Sequence, residues 1–354
     1  MNNSFVDSIV LLNESNRFFY SKLNTSFGAV IISDKEKIYI SDSRYEYYLK
    51  QNLIGWTIVN SSGAELYKNI SKELFRIGAK IVGYEDNTIL KSQYDALKNS
   101  VIECELIPHS KAIRDIRAIK NIEMIEYVAE AQKISEITLN NIIPQIKIGV
   151  TEREIAAKIL YELSMNGAEG PSFEPIVAFG ENSAKPHHHP SYKKYEKGDI
   201  ILIDMGAKYN GYCSDMTRTF ALDECNKEFL TIHQIVTEAQ KYGLKMIKSG
   251  IQCGEVDTAC REYITANGFE KEFSHSTGHG VGINIHEYPS VSAGSIDELK
   301  DGMIITVEPG IYIKGLGGIR MEDIVVVTKD GIKNLTNFSK NFYFNSKAKE
   351  QSPK

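Results

Sequence analysis

Two stretches of this chain match each other at a constant offset of 101 residues, and the duplication restricts the folds open to it. The segment IKIGVTEREIAAKILYELSMNGA (146–168) aligns with IKSGIQCGEVDTACREYITANGF (247–269). Ile146 meets Ile247, Gly149 meets Gly250, Glu154 meets Glu255, and Asn166-Gly167 meets Asn267-Gly268. In the first copy Thr151 and Glu154 have the spacing of a capping box, and Asn166-Gly167 is a helix stop. A longer helical pattern precedes each copy, over 119–143 and about 224–248, and a strand pair follows each. This reads as a duplicated helix-helix-hairpin unit, with two halves related by a pseudo-twofold that meet at a shared seam.

Ahead of the repeat, GAVIIS (28–33) and EKIYIS (36–41) read as a hairpin, followed by an amphipathic helix around 43–52. Further short strands are expected near 56–60, 80–84 and 101–105, with helical stretches between them. The result is a compact α/β unit of about a hundred residues. Pro108 begins a change of character, and the boundary is placed within 108–118. From Ile119 onward Ile122, Ile125, Val128, Ala129 and Ile134 form one apolar stripe. The division expected is 1–112, 113–340 and a polar tail over 341–354.

A length of 354 residues accommodates two domains with sizeable cores. A net charge of -5 without a long basic run argues against nucleic acid as the main partner. No stretch has the apolar length that spans a bilayer, and the amino terminus lacks a charged n-region and a small-residue cleavage site. The five cysteines form no CxxC pair, which reads as reduced thiols in a cytoplasmic protein.

Chemistry concentrates in the strand pairs. Asp204, Asp215, His279, Glu308 and Glu322 sit in the short settings ILIDMG, YCSDMT, STGHGVG, ITVEPG and IRMEDIVVV. The first pair can be placed from its turn. Asn210-Gly211 signals a type I′ hairpin, so Tyr209 faces Tyr212 and paired numbers sum to 421. Asp204 then faces Thr217 and Asp215 faces Gly206, which is expected to leave room for an ion. The two aspartates become diagonal neighbours on one face, roughly 7–8 Å apart at the backbone. One such hairpin alone more often carries two solvated aspartates; the further carboxylates and the histidine change the balance. Cys213 shares the face with Asp215 and reads as a small buried filler.

Burying four ionised carboxylates costs many kcal/mol unless cations neutralise them, and two divalent ions would do so. A water between such ions loses its proton near neutral pH, which suits hydrolysis of amides or phosphate esters. Six of the eight histidines fall in KPHHHPS and HSTGHGVGINIHEYP. His187 and His286 are read as donors to a substrate carbonyl. His188, His109 and His233 are read as loop or core histidines, and His189 is left open. Arg320, two residues before Glu322, suits a substrate carboxylate or carbonyl, or a clamp on a ligand glutamate.

The run DMGAKYNGYCSDMTRTF, the GHGVG and HEYP segments, TVEPGIYI and IRMED together resemble the pita-bread metallopeptidases, in the Xaa-Pro aminopeptidase and prolidase branch. The likeness covers nearly all of 110–340, and NRFFYSKLNTSFGAVIISDKEKIYISDSRYEYYLK resembles that branch's first domain. The resemblance implies an α/β (α+β) fold. A small amino-terminal domain precedes a pseudo-twofold catalytic domain whose helices pack on a curved antiparallel sheet. It implies two metal ions, manganese first, with cobalt, iron or zinc as alternatives. Asp204 and Asp215 would chelate one ion, Asp215 and Glu322 would bridge, and His279 and Glu308 would complete the other. Glu308 would also shuttle a proton, His187 and His286 would steady the scissile carbonyl, and His275 and Arg320 would border the proline site. The activity implied is an aminopeptidase that releases a residue preceding proline by way of a metal-bridging hydroxide. A dipeptidase restricted to Xaa-Pro is the nearest alternative. Methionine aminopeptidase activity and a non-catalytic peptide-binding scaffold are more remote. A homodimer is implied as well.

Overall fold

A computed structural model describes residues 6–344, so the tail expected over 341–354 lies beyond residue 344 outside them. The chain divides into two compact units, Met1–Arg117 and Ala118–Lys354.

The first unit runs β1 (Ser8–Leu11), α1 (Glu14–Ser21), β2 (Ala29–Ser33), β3 (Lys37–Ser41), α2 (Ser43–Asn52), β4 (Thr57–Asn60), α3 (Leu66–Ile77), β5 (Ile81–Tyr84), α4 (Lys91–Ser100), β6 (Glu105–Pro108) and α5 (Ser110–Ala118). Its six strands form one mixed sheet in the order β4-β3-β2-β1-β5-β6. Alternate residues feed opposite faces: Val10, Ile31, Ile38 and Ile40 enter one core, while Leu11, Val30 and Tyr39 enter another. With both faces covered, the strands read as unbroken apolar runs. That is why the four-residue β1 gives no alternation to detect. The strand expected at 101–105 forms instead at Glu105–Pro108, because Val101 caps α4 and a turn intervenes.

The second unit begins with α6 (Ile122–Ile142) and α7 (Glu152–Met165). Strands β7 (Gly170–Pro171), β8 (Ile176–Phe179), β9 (Ile201–Met205), β10 (Ala207–Tyr209), β11 (Tyr212–Cys213) and β12 (Met216–Phe220) follow. Then come α8 (Lys227–Met246), α9 (Cys253–Ala266), β13 (Gly278–Gly280), β14 (Glu287–Val291) and β15 (Ile304–Val307). The last strands are β16 (Gly310–Ile313), β17 (Gly317–Arg320), β18 (Asp323–Val327) and β19 (Ile332–Asn334). The single helix expected over 119–143 is shorter. Asn121 caps α6 by accepting from the Met124 N–H at 2.9 Å, so Ile122 lies in the first turn, 78% exposed. The buried stripe runs through Met124, Val128, Ala131, Ser135, Leu139 and Ile142. Among the described residues no helix is long and apolar enough to cross a membrane.

The duplication is visible in the backbone. Helices α7 and α9 each span 14 residues and open on capping boxes, Thr151 with Glu154 and Gln252 with Glu255. Gly149 and Gly250 share a φ of 91°, and Gly167 and Gly268 stand at 97° and 89°. Each half keeps its own core: Ile155, Ile159, Ile203 and Phe220 in the first, Val256, Ile264, Ile305 and Val325 in the second. The halves join along an antiparallel seam. Glu322 N–H donates to the Thr217 carbonyl at 3.2 Å, and Arg320 N–H to Thr219 Oγ1 at 3.1 Å. Arg218, fully buried, spans it with a 2.9 Å ion pair to Asp323.

The Asn210-Gly211 hairpin keeps the register its turn dictates. Tyr209 pairs with Tyr212, Lys208 with Cys213, Met205 with Met216 and Asp204 with Thr217. Asn210 and Gly211 have φ of 45° and 77°, as a type I′ turn requires. Gly206 has a different purpose from the one expected. A Cβ there would lie 1.9 Å from the Ser214 carbonyl oxygen, so glycine serves close backbone approach and not room for an ion.

Candidate metal centre

Each half contributes one strand pair to a cavity of about 530 Å³, which is lined by all nine side chains singled out above: Asp204, Asp215, Glu308 and Glu322 with His279, and His187, His275, His286 and Arg320 beside them. Asp204 projects from within β9. Asp215 immediately precedes β12, Glu308 follows β15 and Glu322 precedes β18, where the ladders open and side chains can turn inward. His279 lies in β13 at a register shift between itself and Gly280. Such a bulge re-aims the side chain.

The histidine turns a lone pair toward the carboxylates. His279 Nδ1 lies 3.0 Å from the Gly280 carbonyl and donates its proton there. That fixes the tautomer and leaves a lone pair on Nε2. Nε2 stands 3.4 Å from Glu308 Oε1 and 3.6 Å from Asp215 Oδ2. Three groups rich in lone pairs facing one another without a shared proton repel, and a cation between them removes the repulsion. Ligand atoms of Asp215, His279 and Glu322 all fall within 4.8 Å of one another.

The carboxylates show the same strain. Burial, followed by the charges of Glu322, Asp204 and Glu308, pushes the Asp215 carboxyl well above its usual range. Burial, then Glu308 and Asp204, does the same to Glu322. Glu308 is pushed up to about 8, with burial the largest cause. Asp204 Oδ1 and Glu322 Oε1 are buried without a hydrogen-bond partner. Arg320 supplies one positive charge against four carboxylates. The donor set, its unpartnered oxygens and its surplus negative charge fit divalent cations with oxygen and imidazole ligands.

The surrounding groups divide into clamps and rim. Arg320 donates Nη2 to Asp204 Oδ2 at 2.6 Å, Nε to Thr217 Oγ1 at 3.0 Å, and Nη1 to Tyr312 Oη at 2.8 Å and the Pro186 carbonyl at 3.3 Å. Most of its donors are thus engaged within the protein, as a clamp on Asp204. His275 gives its Nδ1 proton to the Ser276 carbonyl at 2.8 Å, and its Nε2 accepts from Tyr312 Oη at 2.9 Å. Burial pushes the His275 and His279 imidazoles down to about 4, so both are neutral at pH 7. His187 and His286 are exposed at the cavity rim, with the His286 ring 4.3 Å from that of His279. His188 is buried against Glu152, and His233 is buried beside Phe342, its Nε2 without a partner. His189 lies on the cavity wall. Cys213 is buried, its Sγ 3.4 Å from the Ile283 carbonyl, and burial pushes the thiol up to about 11.

Four supporting residues were not singled out from the sequence. Tyr312 joins His275 to Arg320. Thr217 donates to Glu322 Oε2 at 2.7 Å, and Thr306 to Glu308 Oε1 at 3.2 Å. Asp257, on α9, accepts from Thr277 N–H and Oγ1 and from Arg261, whose other donors reach the Phe273 and His275 carbonyls. Thr217 was within reach of inference, since the hairpin register already sets it opposite Asp204. The other three give no local signal.

A model of the metallopeptidase family M24 matches residues 126–329, the span that carries every residue of this centre. The chain belongs to family M24. It is a metallopeptidase, a hydrolase that acts with divalent metal ions, and residues 1–119 match the creatinase/prolidase N-terminal domain. This M24 chain is 36% identical over 338 residues to the Xaa-Pro dipeptidase of Pyrococcus furiosus, covering 95% of each chain. Its structure matches that of the Xaa-Pro dipeptidase from Bacillus anthracis with a TM-score of 0.91 at 38% identity, over 96% of this chain and 95% of the other. The X-Pro aminopeptidase of Thermotoga maritima matches with a TM-score of 0.91 at 33% identity, over 96% and 98%. These pita-bread neighbours share both units of the fold.

Proposed function

We propose that this M24 peptidase hydrolyses the peptide bond between an amino-terminal residue and a following proline, with two divalent ions held by Asp204, Asp215, His279, Glu308 and Glu322. The observation that carries the reading is the convergence of four buried carboxylates and the His279 lone pair in one cavity, with two carboxylate oxygens unpartnered. Asp204 and Asp215 would hold one ion, His279 and Glu308 the other, with Asp215 and Glu322 shared. One histidine among four carboxylates favours manganese. When bound, the ions supply Lewis acidity and an acidified water.

The chain's own groups do the rest. Glu308, steadied by Thr306, takes the proton released at the nucleophile and returns it to the leaving proline nitrogen. His187 and His286 point N–H donors toward the scissile carbonyl oxygen, where negative charge develops. His275, held by Tyr312, presents a neutral ring to the proline. An Xaa-Pro bond has no N–H, and a site that grips the carbonyl and the ring needs none. The free amine of the substrate is placed near Asp204, which confines cleavage to the first bond. The five free cysteines suit a reducing, cytoplasmic setting.

Substrate length divides the reading in two. The X-Pro aminopeptidase name of the Thermotoga neighbour favours longer peptides. The dipeptidase names of the Pyrococcus and Bacillus relatives favour Xaa-Pro alone. Hydrolysis of a matched series, Xaa-Pro, Xaa-Pro-Xaa and Xaa-Ala-Xaa, decides. The expected outcome is cleavage of the first two and none of the third. Cleavage of the dipeptide alone would establish the dipeptidase, and cleavage of the alanine peptide would remove the proline requirement.

A further inference from the structure

Glu152, at the start of α7, is fully buried, yet apart from its contact with His188 it has no part in the centre described above. Its carboxylate gathers five hydrogen bonds. Oε1 accepts from the Phe179 N–H at 2.8 Å and Asn182 Nδ2 at 3.0 Å. Oε2 accepts from His188 Nε2 at 2.8 Å, the Ser191 N–H at 2.9 Å and Ser191 Oγ at 2.6 Å. The donors come from three separate places: the end of β8, the turn after it, and the 186–191 loop. These bonds hold the carboxyl at about 2 against the burial that would raise it, so it is ionised throughout the working range.

The loop matters because of what flanks the clamp. His188 is buried on Glu152, while His187 and His189 on either side are exposed and line the cavity. The Pro186 carbonyl accepts from Arg320, which itself grips Asp204. Beyond the clamp, the Arg153 N–H donates to the Ser191 carbonyl at 3.1 Å and the Glu152 N–H to the Lys193 carbonyl at 3.1 Å. Backbone bonds to α7 therefore secure the far end of the loop. The end that carries His187 is held to α7 through the His188 ring, alongside the Arg320 bond to the Pro186 carbonyl and a turn bond from the His188 N–H to the Lys185 carbonyl at 3.1 Å.

We propose that Glu152 is a positioning residue: by pinning His188 and Ser191 it holds the 186–191 loop against α7, so that His187 faces the substrate carbonyl. The part played by His187 rests on the function proposed above; the clamp on the loop does not. A glutamine at this position has one acceptor oxygen, and its amide N–H groups would confront the donors that Oε1 or Oε2 now receives. The loop should loosen at its His187 end while the distant metal ligands stay in place.

The test compares Glu152→Gln, His187→Ala and the double variant, in full-length metal-loaded protein. Loss of a carbonyl donor at His187 is expected to lower kcat by roughly a hundredfold. Loss of its support through E152Q is expected to lower kcat about tenfold with KM nearly unchanged, the scale seen when a supporting partner is removed. The double variant should be no slower than H187A, because the two residues act on one contact. Metal content should stay at the wild-type level, and trypsin should cut after Lys193 and Lys194, next to the loop, at least about ten times faster in E152Q. Should E152Q fail to fold, Ser191→Ala removes one clamped donor, the Oγ hydroxyl, and should show the same pattern at smaller amplitude. Additive losses in the double variant, or unchanged trypsin cleavage in the loop, overturn the proposal. If the wild type cleaves no Xaa-Pro peptide the functional reading fails, and the trypsin comparison still decides the clamp.

Discussion

Replacing Asp215 with asparagine should strip the bound metal and slow hydrolysis by at least about a thousandfold, roughly 4 kcal/mol at the transition state. The fold should remain. Asp215 faces His279 and lies beside Glu322, so it is the carboxylate best placed to be shared between two ions. Asparagine keeps its shape and one oxygen but loses the charge that two cations require. A second consequence separates this from simple misfolding. Without metal, D215N should melt at a higher temperature than the wild type at pH 8, since the amide spares the cost of keeping that buried carboxyl protonated. Metal analysis, a kcat measurement and melting curves with and without chelator make the comparison. Wild-type turnover in D215N would be incompatible with a shared ligand role.

The metal-free protein should also lose stability as pH rises from about 6.5 to 8, and metal should abolish that slope. The sign follows from the carboxyls. Glu308 is raised to about 8 by burial, and Asp215 and Glu322 are raised well above their usual range. In this window the unfolded chain has released these protons while the folded chain retains them. The folded state binds more protons, so stability falls with pH, by about 1.4 kcal/mol per pH unit for each proton retained. His275 and His279, lowered to about 4, act in the opposite sense, but only between about 4 and 6.5, where the unfolded imidazoles still charge. Above 6.5 the carboxyls stand alone in this contest. Melting temperatures of chelated protein across pH 6.5, 7.2 and 8 test it, and a flat or rising profile would mean the carboxyls are not crowded.

The residues that could be read in advance share a property: their geometry is set by neighbours close in sequence. The Asn210-Gly211 turn fixes the hairpin register, so the pairing of Asp204 with Thr217 follows from counting. The capping box at Thr151 is likewise local. What stayed hidden depends on partners far along the chain. Glu152 looks like an acidic residue in a first helical turn, favourable there through the helix dipole. Its real surroundings arrive 27 to 39 residues later in the sequence. Tyr312 lies in the apolar strand GIYI, where nothing marks a hydroxyl that bonds a histidine 37 residues earlier. Gly206 was legible as a glycine opposite Asp215, but its cause, the approach of the Ser214 carbonyl, appears only in three dimensions.

Under the proposed function, five side chains crowded into one cavity are tolerable there because cations share it. Anomalous diffraction from crystals equilibrated with manganese measures this directly. Two peaks per chain are expected, one beside Asp204 and Asp215, the other beside His279 and Glu308, with Glu322 touching both. No peak among these residues at saturating manganese would contradict it.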